Sequence, residues 1–399
     1  MKQEIKERIE LINKGIVPAG YKKTPVGICP VEWEENTLKN IFIFKNGLNK
    51  EKSAFGKGTP IINYTDVWGK RGLKLKDVKG KVTLNKNEIE NYSAKKGDVF
   101  FTRTSETINE IGLTSVLLED IKDCVFSGFV LRGRPISNLI VNEYNQYCYS
   151  LDFMRNEITK KSSYTTRALT NGELLSQVLI NLPTKSEQQK IAEILDCATR
   201  QVELQEQLVD KLKVQKKALM QKLLTPQPDW QEVKLGDICK ITTGKLDANE
   251  MVENGKYPFF TCSKDIYKID KYSYDMEALL MAGNGEIGDI KYYNGKFNAY
   301  QRTYILYNFT FNIKYAMQYL LLHFNQAVCK GSQKSSMPYI RVDLLNNAKI
   351  LYPQNLDQIA IFLENFDKKI ELQQKLLEQY KLRQKALMQL LLTGIVRVD

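Results

Sequence analysis

Apolar residues along two long stretches of this chain recur at alternating spacings of four and three. One stretch carries Ile191, Leu195, Ala198, Val202, Val209, Leu212, Leu219 and Leu223; the other carries Ile359, Leu363, Phe366, Ile370, Leu377, Tyr380, Leu387 and Leu391. That is the heptad period, which predicts two long helices, each with a narrow apolar seam. Polar residues interrupt both seams at matching places, Gln205 and Lys216 in the first, Gln373 and Gln384 in the second. The stretches end alike, in KALMQKLLT (Lys217–Thr225) and KALMQLLLT (Lys385–Thr393), and the match runs back without a gap to Ile191 and Ile359. This is an internal repeat. Flanking charges such as Arg200, Glu206, Lys211, Lys213, Lys368 and Lys375 leave a stripe better suited to a partner helix than to a domain surface.

The expected arrangement is an intramolecular antiparallel coiled coil with pseudo-twofold symmetry, each helix spanning ~50–60 Å. Its seam uses Leu195, Val202, Leu212, Leu219, Leu363, Ile370, Tyr380 and Leu387. A register that opposes Gln205 with Gln384, and Lys216 with Gln373, would bring the polar layers together.

Outside these stretches the pattern is mixed. Ile5, Ile9, Leu11 and Ile12 among charges predict a short amphipathic helix over 3–14, closed by Gly15. Strands are expected at Asp98–Arg103, after the turn signal Lys96-Gly97, at Cys124–Gly133 and at Gln177–Pro183, with a helix over Val141–Lys161. TPQPDW (Thr225–Trp230) then breaks the first long helix with two prolines. Trp230, Leu235, Ile238 and Gly244 follow at the spacings of Trp33, Leu38, Ile41 and Gly47, so the globular part is duplicated too. The fold class is α+β. The predicted order is a first domain over 1–183 and a helix over 184–225, then a second domain over 226–352, a helix over 353–394 and a tail over 395–399.

Composition narrows the function. Lys and Arg number 58 against 46 Asp and Glu, a net +12 that favours a polyanionic partner. Seven cysteines, Cys329 among them, are scattered without a C-x-x-C pair, which indicates neither a zinc site nor a disulfide framework. No run approaches the ~18 apolar residues of a membrane span, and the N-terminus lacks a signal core, so the expected location is the cytoplasm. Gly283-Asn284-Gly285-Glu286-Ile287-Gly288 matches a dinucleotide fingerprint in letters only. DIKYYNGK after it reads as a strand rather than a helix, which predicts a glycine-rich hairpin. His323 is the sole histidine, and no phosphate-cradling loop, base-flipping methyltransferase motif or nuclease carboxylate cluster is legible. No metal site and no catalytic residue are expected.

What remains is binding chemistry. Basic, amide, hydroxyl and aromatic residues gather at Lys70 and Arg71, at Arg103, and at Tyr164, Thr165 and Arg167 in the first domain. In the second they gather at Lys245, Gln301 and Arg302, and at Gln333, Lys334, Ser336, Tyr339 and Arg341. Arg and Lys pair with phosphates or guanine edges, Gln reads adenine, and Ser or Thr either. Double-stranded DNA is the expected ligand. A stand-alone coiled-coil DNA-binding regulator that homodimerises, or a scaffold that binds protein only, fits the same composition.

The chain resembles the specificity (S) subunit of type I restriction-modification enzymes over nearly its whole length. Carrying the likeness are Gly27, Pro30 and Trp33, the reprise Pro228-Asp229-Trp230 with KLGDI, Pro183 with Glu187-Gln188 and Ile191, and the two KALMQ endings. The second long helix departs, beginning Pro353…Asp357-Gln358, shorter and with Asp in place of Glu. The resemblance implies two target recognition domains reading the halves of an asymmetric, split site about one helical turn (~34–36 Å) apart. It implies helices that act as spacers and recruit two methyltransferase subunits and, through them, restriction/translocase subunits. S-adenosylmethionine, ATP and Mg are expected on those partners and none on this chain. Lys213, Lys217, Lys381 and Lys385 are the expected methyltransferase-facing positions.

Overall fold

A computed structural model describes residues 3–328 and 339–398. The chain divides into two units, Met1–Leu204 with Glu378–Asp399, and Gln205–Leu377.

In the first unit the helix Gln3–Asn13 and the hairpin Tyr21–Thr24/Gly27–Pro30 lead to Trp33, which is 1% exposed. Strand Glu34–Thr37 pairs antiparallel with the closing strand Leu179–Leu182. A five-stranded sheet follows in the order Phe42–Asn46, Val130–Pro135, Val99–Thr102, Thr114–Leu117, Gly72–Leu73. Both faces of Val99–Thr102 are buried, which is why Val99, Phe100 and Phe101 read as a continuous apolar run rather than alternating. Two expectations need correction. Cys124–Gly133 is not one strand: Val125–Phe126 and Val130–Pro135 flank a turn at Ser127-Gly128, a turn signal inside an apolar run. Val141–Lys161 is two helices, Asn142–Asn145 and Asp152–Lys161, interrupted where Tyr147, Cys148 and Tyr149 turn into the core.

Residues 394–398 pack on this unit. Arg397 donates through Nε to Glu187 Oε1 at 2.6 Å and through Nη2 to Glu187 Oε2 at 3.0 Å, while Trp33 Nε1 donates to the same Oε2 at 3.0 Å. Arg8 and Tyr21 donate to the carbonyls of Ile395 and Gly394 at 2.5 and 2.6 Å. Gly394 holds φ at 70°, and a Cβ there would lie 2.5 Å from Pro30 Cδ, so glycine is required on both counts. Gln188, fully buried, donates to the carbonyls of Leu139 and Pro183 and accepts from Val141 N. Thus Pro30, Trp33, Glu187 and Gln188, which the sequence offers as a pattern, form one buried junction.

The second unit repeats the plan with other dimensions. Gln231–Lys234 pairs antiparallel with Lys349–Tyr352. Among the described residues a six-stranded sheet runs Lys240–Thr243, Thr303–Tyr307, Tyr274–Ala282, Ile290–Ala299, Tyr257–Phe260, Ile266–Ile269. Gly283–Gly288 joins two antiparallel strands of this sheet, so it is a hairpin loop and opens no helix. His323, on the helix Ile313–Val328, lies 2.7 Å through Nε2 from the Leu224 carbonyl, an orphan acceptor at the end of the first long helix.

The long helices run Lys185–Leu223 and Leu356–Leu392, and each contributes to both units. In the first unit Ile191, Ala192 and Leu195 share a core with Met388, Leu391 and Leu392. In the second unit Met220 and Leu224 share one with Ile359, Ala360 and Leu363. Start meets end in each, so the helices pair antiparallel, and the predicted seam residues are buried or half-buried. Each fully buried Leu or Ile contributes about 1.5–3 kcal/mol. The register differs from that predicted. Gln205 Nε2 donates to Gln373 Oε1 at 2.8 Å, Lys216 reaches Asp367 at 2.5 Å, and Gln384 donates to Thr199 at 2.8 Å. Lys216 takes a carboxylate instead of an amide because a half-buried ammonium is stabilised far more by an opposite charge.

Candidate nucleic-acid interface

Both units build the same backbone frame at one end of the central strand. In the first, Ser127–Val130 is a β-turn, with Val130 N donating to Ser127 O at 3.1 Å. It is seated against Leu48, which donates to Phe126 O and accepts from Gly128 N at 2.9 and 2.8 Å. Arg103 N then donates to Phe129 O at 3.1 Å, and Thr170 N donates to Arg103 O at 3.0 Å. In the second unit Thr303 N donates to Tyr300 O at 2.8 Å and Gln301 N to Leu246 O at 2.9 Å. Gly283 N donates to Arg302 O at 3.0 Å and Ile340 N to Gly283 O at 2.9 Å. Position by position, Arg103 corresponds to Gly283, Phe129 to Arg302, Leu169 to Tyr339 and Asn171 to Arg341.

The frame depends on paired glycines. A Cβ on Gly47 would lie 2.1 Å from Ser127 O, and one on Gly244 2.1 Å from Ala299 O. The seat is also buttressed from behind. Arg155 donates to the carbonyls of Gly112 and Asn109 at 2.8 and 3.1 Å, and to that of Ile111; burial pulls its guanidinium down to about 10. Thr102 Oγ1 donates to Glu110 O and accepts from Leu113 N. In the second unit Tyr304 OH donates to Ile340 O at 2.7 Å, and burial raises its pKa. Because these backbone groups satisfy one another, the tip side chains are left to present chemistry outward.

Those side chains include most of the residues singled out in the sequence. Arg103, Tyr164, Thr165 and Arg167 come together, since Ser163–Tyr164 pairs with Ala168–Leu169 and that strand with Thr104–Ser105. Arg103 Nη1 reaches Gly128 O at 3.3 Å. Lys245, Gln301 and Arg302 come together across the Leu246–Tyr300 bridge, with Tyr339 and Arg341 flanking Ile340. Gln333, Lys334, Ser336 and Cys329 lie outside the described residues. Lys70 and Arg71 lie apart from the frame. Lys70 pairs with Asp77 at 2.9 Å, and Arg71 is packed over the Tyr147 ring, with burial lowering its pKa. Tyr147 in turn donates to Asp196 of the long helix at 2.5 Å.

Sequence reasoning missed Phe129, 64% exposed at the tip of its turn, and the equivalence of Leu169 and Asn171 with Tyr339 and Arg341. Asn171 is committed to capping, its Oδ1 accepting from Leu174 N at 2.9 Å, whereas Arg341 at the same place makes no side-chain cap. The Ser127-Gly128 turn signal was the available clue to Phe129.

No group of His, Cys, Asp and Glu suited to a metal ion occurs among the described residues, and no described helix is long and apolar enough to cross a membrane. The family model described as the type I restriction modification DNA specificity domain matches residues 30–214 and again 227–382. The EcoDI specificity subunit of Escherichia coli is 41% identical over 134 residues, 33% of this chain and 30% of that protein. The chain therefore spans under a third of that relative, whereas it aligns over 95% of its own length with 97% of a putative MjaX specificity subunit of Methanocaldococcus jannaschii, at 24% identity. In fold it is similar to the S subunit of a type I restriction-modification system from M. genitalium, with a TM-score of 0.60 at 16% identity, covering 92% of this chain and 96% of that one. With the family model matched in both halves, the chain belongs to the type I restriction-modification DNA specificity family.

Proposed function

We propose that the chain is the non-catalytic DNA-reading subunit of such a system, and that each frame reads one half of a split, asymmetric target in double-stranded DNA. The observation that carries this reading is the repeated frame: one backbone scaffold, occurring twice, with different side chains at each equivalent tip position. Identical scaffolds would hold their side chains in a groove in the same way, and different side chains would select different bases. The net charge of +12 adds sequence-independent phosphate attraction that weakens with salt.

The long helices recruit two methyltransferase subunits and, through them, restriction/translocase subunits. S-adenosylmethionine, ATP and Mg reside on those partners, and the complex works in the cytoplasm. Lys213, Lys217 and Lys385 are exposed on the helices and remain the proposed contact positions together with Lys381. Methylome sequencing of cells carrying the chain and its methyltransferase partners is the test. The expected result is a two-part motif with unlike halves; a continuous motif, or a palindrome, would overturn the reading.

A further inference from the structure

The two frames differ in where the guanidinium is placed. In the first unit the strand-end position holds Arg103 and the turn-tip position holds Phe129; in the second the strand end is Gly283 and the turn tip is Arg302. Arg103 is tied back to Gly128 O, whereas the exposed Arg302 side chain makes no hydrogen bond or ion pair among the described residues. The Arg302 backbone is nonetheless fixed: its carbonyl accepts from Gly283 N, and the Cys262 thiol lies 3.3 Å from it. An exposed cation on a rigid backbone retains its donors for an outside acceptor and loses little backbone entropy on binding. Phe129, fixed by the Arg103 N–H in the same way, is a large apolar ring 64% exposed, whereas Phe100, Phe101 and Phe126 on the neighbouring strands are buried.

We propose that positions 129 and 302 are equivalent base-reading positions, Phe129 making an apolar contact with a thymine methyl in one half-site and Arg302 pairing with guanine in the other. The inference rests on the DNA-reading function proposed above and assigns its specificity to named side chains. The chemistry follows from the groove code: guanine presents N7 and O6 to a forked cation, and thymine alone presents a methyl group. Gly283 supports the assignment, because the strand-end position that carries a guanidinium in the first frame has no side chain in the second. Of the cations in the second frame, Lys245, Arg302 and Arg341, Arg302 occupies the turn tip equivalent to Phe129.

The test is selection from a random duplex library by the full chain in complex with its methyltransferase subunits, comparing wild type with Arg302→Ala, Arg302→Lys, Phe129→Ala and Phe129→Arg. Arg302→Ala should cost roughly ten- to a hundredfold in affinity for the wild-type site and flatten one guanine position in one half only. Arg302→Lys, which keeps the charge and removes the fork, should relax the same position. Phe129→Ala should relax one thymine in the other half, and Phe129→Arg should convert that position to guanine. A two-part motif unchanged in Arg302→Ala and Phe129→Ala overturns the assignment while leaving the DNA-reading function standing. Equal weakening on all sequences with a shallower salt dependence marks Arg302 as a phosphate contact and also overturns it. If wild type selects no two-part motif, both the function and this assignment fall.

Discussion

The two units handle one task differently. Where the long helix leaves the first domain, Glu187 and Gln188 are 3% and 0% exposed and tie together Trp33, Arg397, Leu139 and Pro183. Where the second long helix begins, Asp357 and Gln358 are exposed, and Asp357 accepts a single bond from Asn312 Nδ2 at 2.6 Å. The reading frames show the opposite relation, with backbone hydrogen bonds matched almost atom for atom and side chains that differ. Backbone geometry is preserved where side chains must be presented, and junction chemistry is free to diverge where only attachment is needed.

Substitutions can break or sharpen this contrast. The largest effect is expected at the glycines beneath the frames. Gly47→Ala and Gly244→Ala each force a Cβ onto a carbonyl oxygen and should destabilise their units by about 3 kcal/mol. Urea denaturation followed by a probe in each unit measures this, and tolerance in one unit alone would show that the frames are not equivalent in rigidity.

The junctions should behave unequally. Glu187→Ala strands the Trp33 Nε1–H in the core and releases Arg397, a loss of about 3 kcal/mol. Asp357→Ala, at an exposed site, should cost under ~1 kcal/mol. Similar shifts in denaturation midpoint for the two variants would refute the contrast.

The smallest effect, absent at neutral pH, concerns one buried thiol in each unit. Burial pushes Cys124 and Cys239 from 9.0 up to about 12. Between pH 9 and 12 the unfolded chain releases protons that the folded chain keeps, so stability falls as pH rises through that window and is unaffected below it. Iodoacetamide at pH 8 should label exposed Cys197 and spare both buried thiols until unfolding.

The long helices, their antiparallel pairing and the duplicated domain start were legible because heptad spacing and the Trp33/Gly47 and Trp230/Gly244 recurrence are local features of the text. The register was not. Matching Gln205 to Gln384 assumed that like layers meet, but the alignment is coupled to contacts made far away in sequence, such as Lys216 with Asp367 and Gln318 with the same carboxylate. Arg103, Tyr164, Gln301 and Arg302 were found by residue type, yet their grouping depends on strand pairing that no single segment encodes. Arg71 shows the limit of residue type alone, since a basic residue beside an exposed tryptophan turned out to pack on a core tyrosine.

Arg397 and Glu187 are 210 residues apart, and that separation sets an order of events at the ribosome. At about 5–20 residues per second, Glu187 waits roughly 10–40 s for its guanidinium to be synthesised. The first unit is thus completed after the second, and a nascent chain stopped before Arg397 would carry a first unit in which Glu187, although bonded to Trp33, lacks its guanidinium partner.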